Sequence, residues 1–143
     1  MSEFHWGKQS TALLSHVHAD LQRLFAVVIE RTDQDLTILP STIRTVAEQA
    51  EYIRVGTSKT WNSRHLHGLA VDVAPYPIDW HDQPRWQRMC SVIESVAREL
   101  GIPIELGRDF LTLVDMPHVQ LPKAKYPDLP AVLSQVALYR EGH

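Results

Sequence analysis

The 143 residues fit one domain, and a hydrophobic content of 44% is enough for a single buried core. Fourteen Lys and Arg against 17 Asp and Glu leave a formal net charge of −3; no basic field grips a phosphate backbone, which excludes nucleic acid as an expected partner. One cysteine, Cys90, forms no internal disulfide, so the frame rests on its core or on a metal held by other ligands, for which eight histidines are at hand. The N-terminal MSEFHWGKQS has no apolar stretch behind a basic start, and no run approaches the roughly 18 apolar residues that span a bilayer. The expectation is a soluble monomer made in the cytoplasm, without a signal peptide or membrane insertion.

From Ser10, the residues Leu13, Leu14, Val17, Leu21, Leu24, Phe25 and Val28 recur at three and four, which predicts one amphipathic helix packed on a core. Leu36 and Ile38 alternate with polar neighbours as a short strand that Pro40 and Ser41 close. Thr45 and Glu48 have the spacing of a capping box, Ala47, Ala50 and Ile53 continue a helix, and Gly56 is placed to end it. An exposed connection over 57–64 leads into Leu69, Val71 and Val73, which alternate with Ala70, Asp72 and Ala74 as a strand does. Pro75, Pro77 and Pro84 punctuate an irregular polar and aromatic loop. Trp86, Met89, Cys90, Ile93, Val96, Ala97 and Leu100 then give the main core helix, stopped by Gly101. Two short strands are expected around 102–106 and 114–121, and Asp128 with Pro130 starts a last helix. Helices interspersed irregularly with short strands predict an α+β fold, with helices packed on a small, largely antiparallel sheet.

The segment Ser63-Arg64-His65-Leu66-His67-Gly68-Leu69-Ala70-Val71-Asp72 sets two histidines and a carboxylate around a glycine turn and an apolar strand. An unpaired buried carboxylate is costly, and a divalent metal removes that cost. A second cluster, Asp115-Met116-Pro117-His118, pairs another carboxylate with an imidazole. His65, Asp72 and His118 make three ligands and leave a fourth tetrahedral position for water, the layout of a catalytic zinc site. The spare carboxylate, Asp115, is then placed to take a proton from water whose pKa zinc lowers to about 7.

The pattern SxHxxGxAxD followed by DxPH resembles the zinc D-alanyl-D-alanine carboxypeptidase and L-alanyl-D-glutamate endopeptidase family, enzymes that cut peptidoglycan. Ser63, His65, Gly68, Ala70, Asp72, Asp115 and His118 carry the match, which reaches back to Arg44-Thr45, Gln49 and Gly56-Thr57-Ser58 and covers a motif core of about 36–121 in a single catalytic domain, 1–143. The resemblance implies Zn2+ on His65, Asp72 and His118, Asp115 as general base and then acid, and Arg44 near the scissile carbonyl. There its guanidinium would stabilise an oxyanion or hold a substrate carboxylate. It assigns Gln49 and Ser63, with Arg44, to substrate binding. Val119, Phe110, Thr42 and Ile43 depart from the family's usual residues at their positions.

The expected function is a zinc metallopeptidase of the phage endolysin type that hydrolyses the L-alanyl-D-glutamate bond of the stem peptide and reaches the cell wall after release. The alternatives are a D-alanyl-D-alanine carboxypeptidase or dipeptidase of the same family and a zinc-bearing virion or binding protein without turnover. His5, His16, His18, His81 and His143 read as solvated; His67, which the family spacing does not require, is left open between no role in the site, a hydrogen bond behind the ligands and a contact to ligand or substrate. Among the tryptophans, Trp86 reads as core, whereas Trp61, just before Ser63, is the groove candidate.

Overall fold

The computed structural model describes residues 3–143. Its spine is β2 (Ala70–Pro75), all six residues of which are buried. A strand covered on both faces must be apolar throughout, and Asp72 is the one ionisable residue in it. β1 (Leu36–Ile38) pairs antiparallel with one edge of β2, Leu36 opposite Pro75 and Ile38 opposite Val73. β4 (His118–Gln120) pairs antiparallel with the other edge and carries β3 (Glu105–Leu106) outside it, giving the order β1-β2-β4-β3. The sheet is small and antiparallel, as the sequence predicts.

The expected first helix is two. α1 (Lys8–Leu14) stops at Ser15, and α2 (Ala19–Arg31) restarts with His18 as its N-cap, the imidazole Nδ1 accepting the Asp20 N–H at 3.0 Å. Apolar periodicity runs across the break because Val17 remains buried. The break has a use: the His18 N–H donates to the Gly68 carbonyl at 2.9 Å, docking the start of α2 on the loop before β2. His18 is exposed, as expected, and also serves as a cap and meets the Tyr126 ring edge-on at 5.1 Å.

Leu21, Leu24, Phe25 and Val28 of α2 face Trp86, Met89, Ile93 and Val96 of α4 (Gln83–Leu100), and together with Val71, Val73 and Leu121 they form the core. α4 ends at Gly101, whose φ of +70° is the left-handed closure that glycine takes without strain. α3 (Val46–Arg54) begins with the expected box: the Glu48 N–H donates to Thr45 Oγ1 at 3.1 Å, and the Thr45 N–H to Glu48 Oε1 at 2.8 Å. Such a cap contributes about 1 kcal/mol and fixes where the helix starts, immediately after Arg44.

The strand expected over 114–121 is shorter. Asp115 to Pro117 form a turn instead, the His118 N–H donating to the Asp115 carbonyl at 3.1 Å, and only His118–Gln120 pair in the sheet. α5 (Pro130–Gly142) starts at Pro130 but is not capped by Asp128; the residue before it, Leu129, makes no side-chain cap. The Asp128 carboxylate is drawn away by Asn62 Nδ2 at 2.8 Å, Arg64 Nη1 at 3.1 Å and Lys123 Nζ at 3.1 Å.

Candidate metal centre and active-site cleft

The register of β2 against β4 makes the site. Asp72 lies directly opposite His118, and opposed residues of an antiparallel pair project from the same face. His65 arrives from a tight turn, Arg64–His67, whose start is capped by Ser63 Oγ accepting the His65 N–H at 3.2 Å. The chain leaves that turn through Gly68 at φ +68°, where a Cβ would also stand 3.3 Å from the His16 carbonyl oxygen. Glycine is therefore required on two counts, conformation and space.

Three donor atoms converge. His65 Nε2 lies 3.2 Å from Asp72 Oδ1, His118 Nδ1 lies 3.3 Å from the same oxygen, and the two nitrogens are 3.2 Å apart. All three side chains are buried. The outer partners decide what each atom presents. His65 Nδ1–H donates to the Thr42 carbonyl at 3.1 Å, and His118 Nε2–H donates to Gln120 Oε1 at 2.7 Å, so each ring turns a lone pair inward. Ser41 Oγ donates to Asp72 Oδ2 at 2.6 Å, while Oδ1 is buried without a hydrogen-bond partner.

Three inward lone pairs repel unless a cation sits among them. Four ligands at about 2.0–2.1 Å around a tetrahedral ion stand roughly 3.3–3.4 Å apart, which the observed triangle matches. His65, Asp72 and His118 thus fit a divalent metal. Burial favours the neutral form of Asp72, but hydrogen bonding from His118 and His65, whenever a proton takes the inward side of either ring, and from the Ser41 hydroxyl overcomes it and holds the carboxyl far below its ordinary range. Burial also works against a charged His118, yet the neighbouring Asp72 wins and raises its pKa. The site attracts positive charge, a proton or a metal ion competing for the same lone pairs.

Asp115 hangs over this cluster from the turn before β4, its Oδ2 3.9 Å from His118 Nδ1 and its side chain 47% exposed. Partial burial, and then the charge of Asp72, push its pKa up. Gly107 holds the turn: its carbonyl accepts the Asp115 N–H at 3.0 Å, and a Cβ there would stand 2.0 Å from the Asp115 carbonyl oxygen and 2.8 Å from His118 Cβ. No other side chain fits so close an approach.

The cluster floors a cleft of about 580 Å³ lined also by Arg44, Ser63, Trp80, Phe110 and Asp115. Arg44 stacks over the Tyr52 ring at 4.4 Å, donates Nη1–H to Gln49 Oε1 at 3.0 Å and Nη2–H to the Ser41 carbonyl at 3.2 Å, and lies 3.8 Å from Asp72 Oδ2. Gln49 is fully buried behind it rather than on the cleft wall, its amide donating to Ser58 Oγ at 2.9 Å and the Thr60 carbonyl at 2.7 Å. Ser63 lines the cleft, with its hydroxyl occupied as a cap.

His67 stands one layer out. Its Nδ1 accepts the Leu129 N–H at 2.9 Å, which leaves Nε2–H to donate to Asn62 Oδ1 at 2.6 Å. Burial lowers its pKa and keeps it neutral, as that bonding requires. Trp61 does not reach the cleft; it packs on Tyr139 at 6.2 Å and under Arg140 at 5.0 Å. The tryptophan in the cleft is Trp80. Gln120, Thr42, Gly107 and Trp80 were not legible as site residues. Gln120 alone left a sequence signal, two positions after His118 on one strand face.

Known proteins carry the same architecture. The chain is 34% identical over 129 residues to the L-alanyl-D-glutamate peptidase of Escherichia phage T5, covering 86% of this chain and 93% of that one. The crystal structure of the Serratia marcescens L-Ala D-Glu endopeptidase ChiX superimposes with a TM-score of 0.79 at 33% identity, over 87% of this chain and 96% of that one. The model of the phage L-alanyl-D-glutamate peptidases matches residues 1–121, a span that contains His65, Asp72 and His118, and the chain belongs to that family.

Proposed function

We propose that this peptidase holds zinc on His65, Asp72 and His118 and hydrolyses the amide between L-alanine and D-glutamate in the peptidoglycan stem, with Asp115 moving the proton. The observation that carries the reading is the 3.2–3.3 Å triangle of inward lone pairs with its orphaned Asp72 oxygen. Two imidazole nitrogens and a carboxylate oxygen suit zinc, and three protein donors are the number a catalytic site keeps. Bound zinc supplies Lewis acidity toward the scissile carbonyl and lowers the pKa of water to about 7.

Asp115 takes a proton from the attacking water on its carboxylate and returns it to the departing amine of D-glutamate, which leaves as a neutral amine. Its raised pKa brings the carboxylate closer to the proton affinity such a shuttle needs. Arg44, held by Gln49, Ser41 and Tyr52, presents positive charge in the cleft for the oxyanion or for the carboxylate that D-glutamate carries. Gln49 acts through Arg44, and Ser63 through the backbone of His65. The substrate lies in the cell wall, and the protein acts there.

Mass spectrometry of digested peptidoglycan beside a chelated control tests the reaction. New N-terminal glutamate is expected; released D-alanine or its dipeptide overturns the assignment of the bond. Asp115→Ala is expected to keep stoichiometric zinc while losing lysis, and His118→Ala to lose both. Full activity in Asp115→Ala removes the proposed base.

A further inference from the structure

The cleft lining divides by chain segment. The stretch from Ser41 to Ser63 supplies Arg44, Tyr52 and most of the hydroxyl groups, whereas the loops after β2 and before β4 supply the exposed apolar surface of Trp80, Phe110 and Leu113 beside Thr112 and Asp115. Trp80 is 53% exposed, a large aromatic surface left in water on the wall of the cleft that His65, Asp72 and His118 floor. The ring is nonetheless held. It stacks on Trp86 with centroids 5.0 Å apart and planes 22° apart, and Trp86 is only 1% exposed, its indole N–H donating to the Asp79 carbonyl at 2.9 Å. Arg85 ties the same loop from below through Nη1 to the Pro77 carbonyl at 2.7 Å, and the His81 N–H closes on Asp79 Oδ1 at 2.9 Å. One face of Trp80 is therefore fixed on the core helix, and nothing in the proton chemistry above uses the ring.

We propose that Trp80 is the platform for the amino-sugar ring from which the stem peptide hangs. This rests on the bond assigned above. L-alanine is the first residue of the stem, joined through a lactyl group to the sugar, so a site that cuts after it holds the sugar about two residue lengths, roughly 7 Å, from the scissile carbonyl. A groove for this bond cannot avoid the glycan. The C–H face of a pyranose is apolar and flat and packs on an indole, and a ring already held by Trp86 loses little freedom when the sugar lands. The arginine and hydroxyl segments remain for the polar peptide side, where D-glutamate carries its charge.

The test compares two substrates that differ in the sugar alone: a disaccharide-bearing stem peptide and the same stem peptide with a free lactyl group in place of the muramyl sugar, so that the L-alanine nitrogen stays acylated and uncharged in both. KM and kcat are measured on each for the wild type, Trp80→Ala and Trp80→Phe, with thermal melting to establish folding. The wild type is expected to show a KM roughly five- to tenfold lower on the sugar-bearing substrate. Trp80→Ala brings the ratio of the two KM values close to one, and Trp80→Phe keeps most of it. A ratio that survives in Trp80→Ala, or a KM that rises equally on both substrates, overturns the sugar assignment while leaving the peptidase reading intact. Failure of the wild type to release N-terminal glutamate from either substrate instead sinks the bond assignment, and this proposal with it.

Discussion

Gly107→Ala tests whether the turn that carries Asp115 is fixed by backbone contact. The added Cβ would stand 2.0 Å from the Asp115 carbonyl oxygen, 3.0 Å from its carbonyl carbon and 2.8 Å from His118 Cβ. None of these is the free end of a flexible side chain. Carbon and oxygen do not approach below about 3 Å without overlap, so the turn must retreat by roughly 1 Å. The retreat strains the Asp115 N–H bond to the Gly107 carbonyl, now 3.0 Å, and the bond from His118 N–H to the Asp115 carbonyl, now 3.1 Å. Overpacking of this kind costs about 1–3 kcal/mol of stability, and a 1 Å displacement of a reacting group costs about a hundredfold in rate. The assay is kcat/KM on a stem-peptide substrate beside zinc content and Tm. The expected result is a loss of about two orders of magnitude with a lowered Tm, larger in kcat than in zinc occupancy because His118 is held by the sheet and Asp115 only by the turn. Wild-type kcat with an unchanged Tm would refute the reasoning.

Gln120→Leu removes the acceptor that holds the His118 Nε2 proton at 2.7 Å and with it the bias that turns Nδ1 inward. Zinc affinity is expected to fall about 10–100-fold, read by competition with a chromophoric chelator; unchanged affinity would show that the sheet alone orients the ring. Asp128→Asn probes acid stability. Burial opposes the Asp128 charge, but hydrogen bonds from Asn62 and Lys123 and the nearby charge of Lys123 outweigh it, and its pKa is lowered. A depressed folded-state pKa contributes stability that is complete above the unfolded value of about 4 and is lost as pH falls through the folded one. The wild type should therefore lose part of its advantage over Asp128→Asn in denaturant titrations as pH drops below about 4. A gap between the two that stays constant with pH would contradict this.

The parts of the site that were legible share one property: chemistry and spacing lie within a few residues of each other. His65 and Asp72 fall either side of a single glycine turn, and Asp115 with His118 bracket Pro117. The core helix α4 was legible because eighteen residues repeat one period, and α3 because Thr45 and Glu48 carry both halves of a cap. The break between α1 and α2 was not, since apolar residues continue through it and its cause, the Gly68 carbonyl, lies fifty residues downstream of His18. Trp61 was favoured over Trp80 by sequence proximity to Ser63, whereas the fold turns Trp61 toward α5 and brings in Trp80 from a proline-rich loop. Gly107 acts on a backbone eight residues away, and no periodicity records that contact.

The cluster of His65, Asp72 and His118 is a property of sheet register as much as of its side chains. Asp72 meets His118 because Val71 pairs with Val119 and Ala70 with Gln120; a slip of one residue would put His118 on the other face. The same register sets the lone pairs. Thr42, which fixes His65, is itself pinned by Oγ1 accepting the Asp72 N–H at 3.0 Å, and the Leu39 N–H donates to the Asp72 carbonyl at 2.8 Å. His65 and Asp72 are thus oriented from the turn Pro40–Thr42, through the Thr42 carbonyl and the Ser41 hydroxyl, and His118 by Gln120 of its own strand. Three mutually repelling donors are held 3.2–3.3 Å apart by backbone hydrogen bonds outside the cluster. The apolar burial of β2 keeps those bonds out of water, so the fold bears the electrostatic cost of assembling the site, and a divalent ion would meet a geometry already formed.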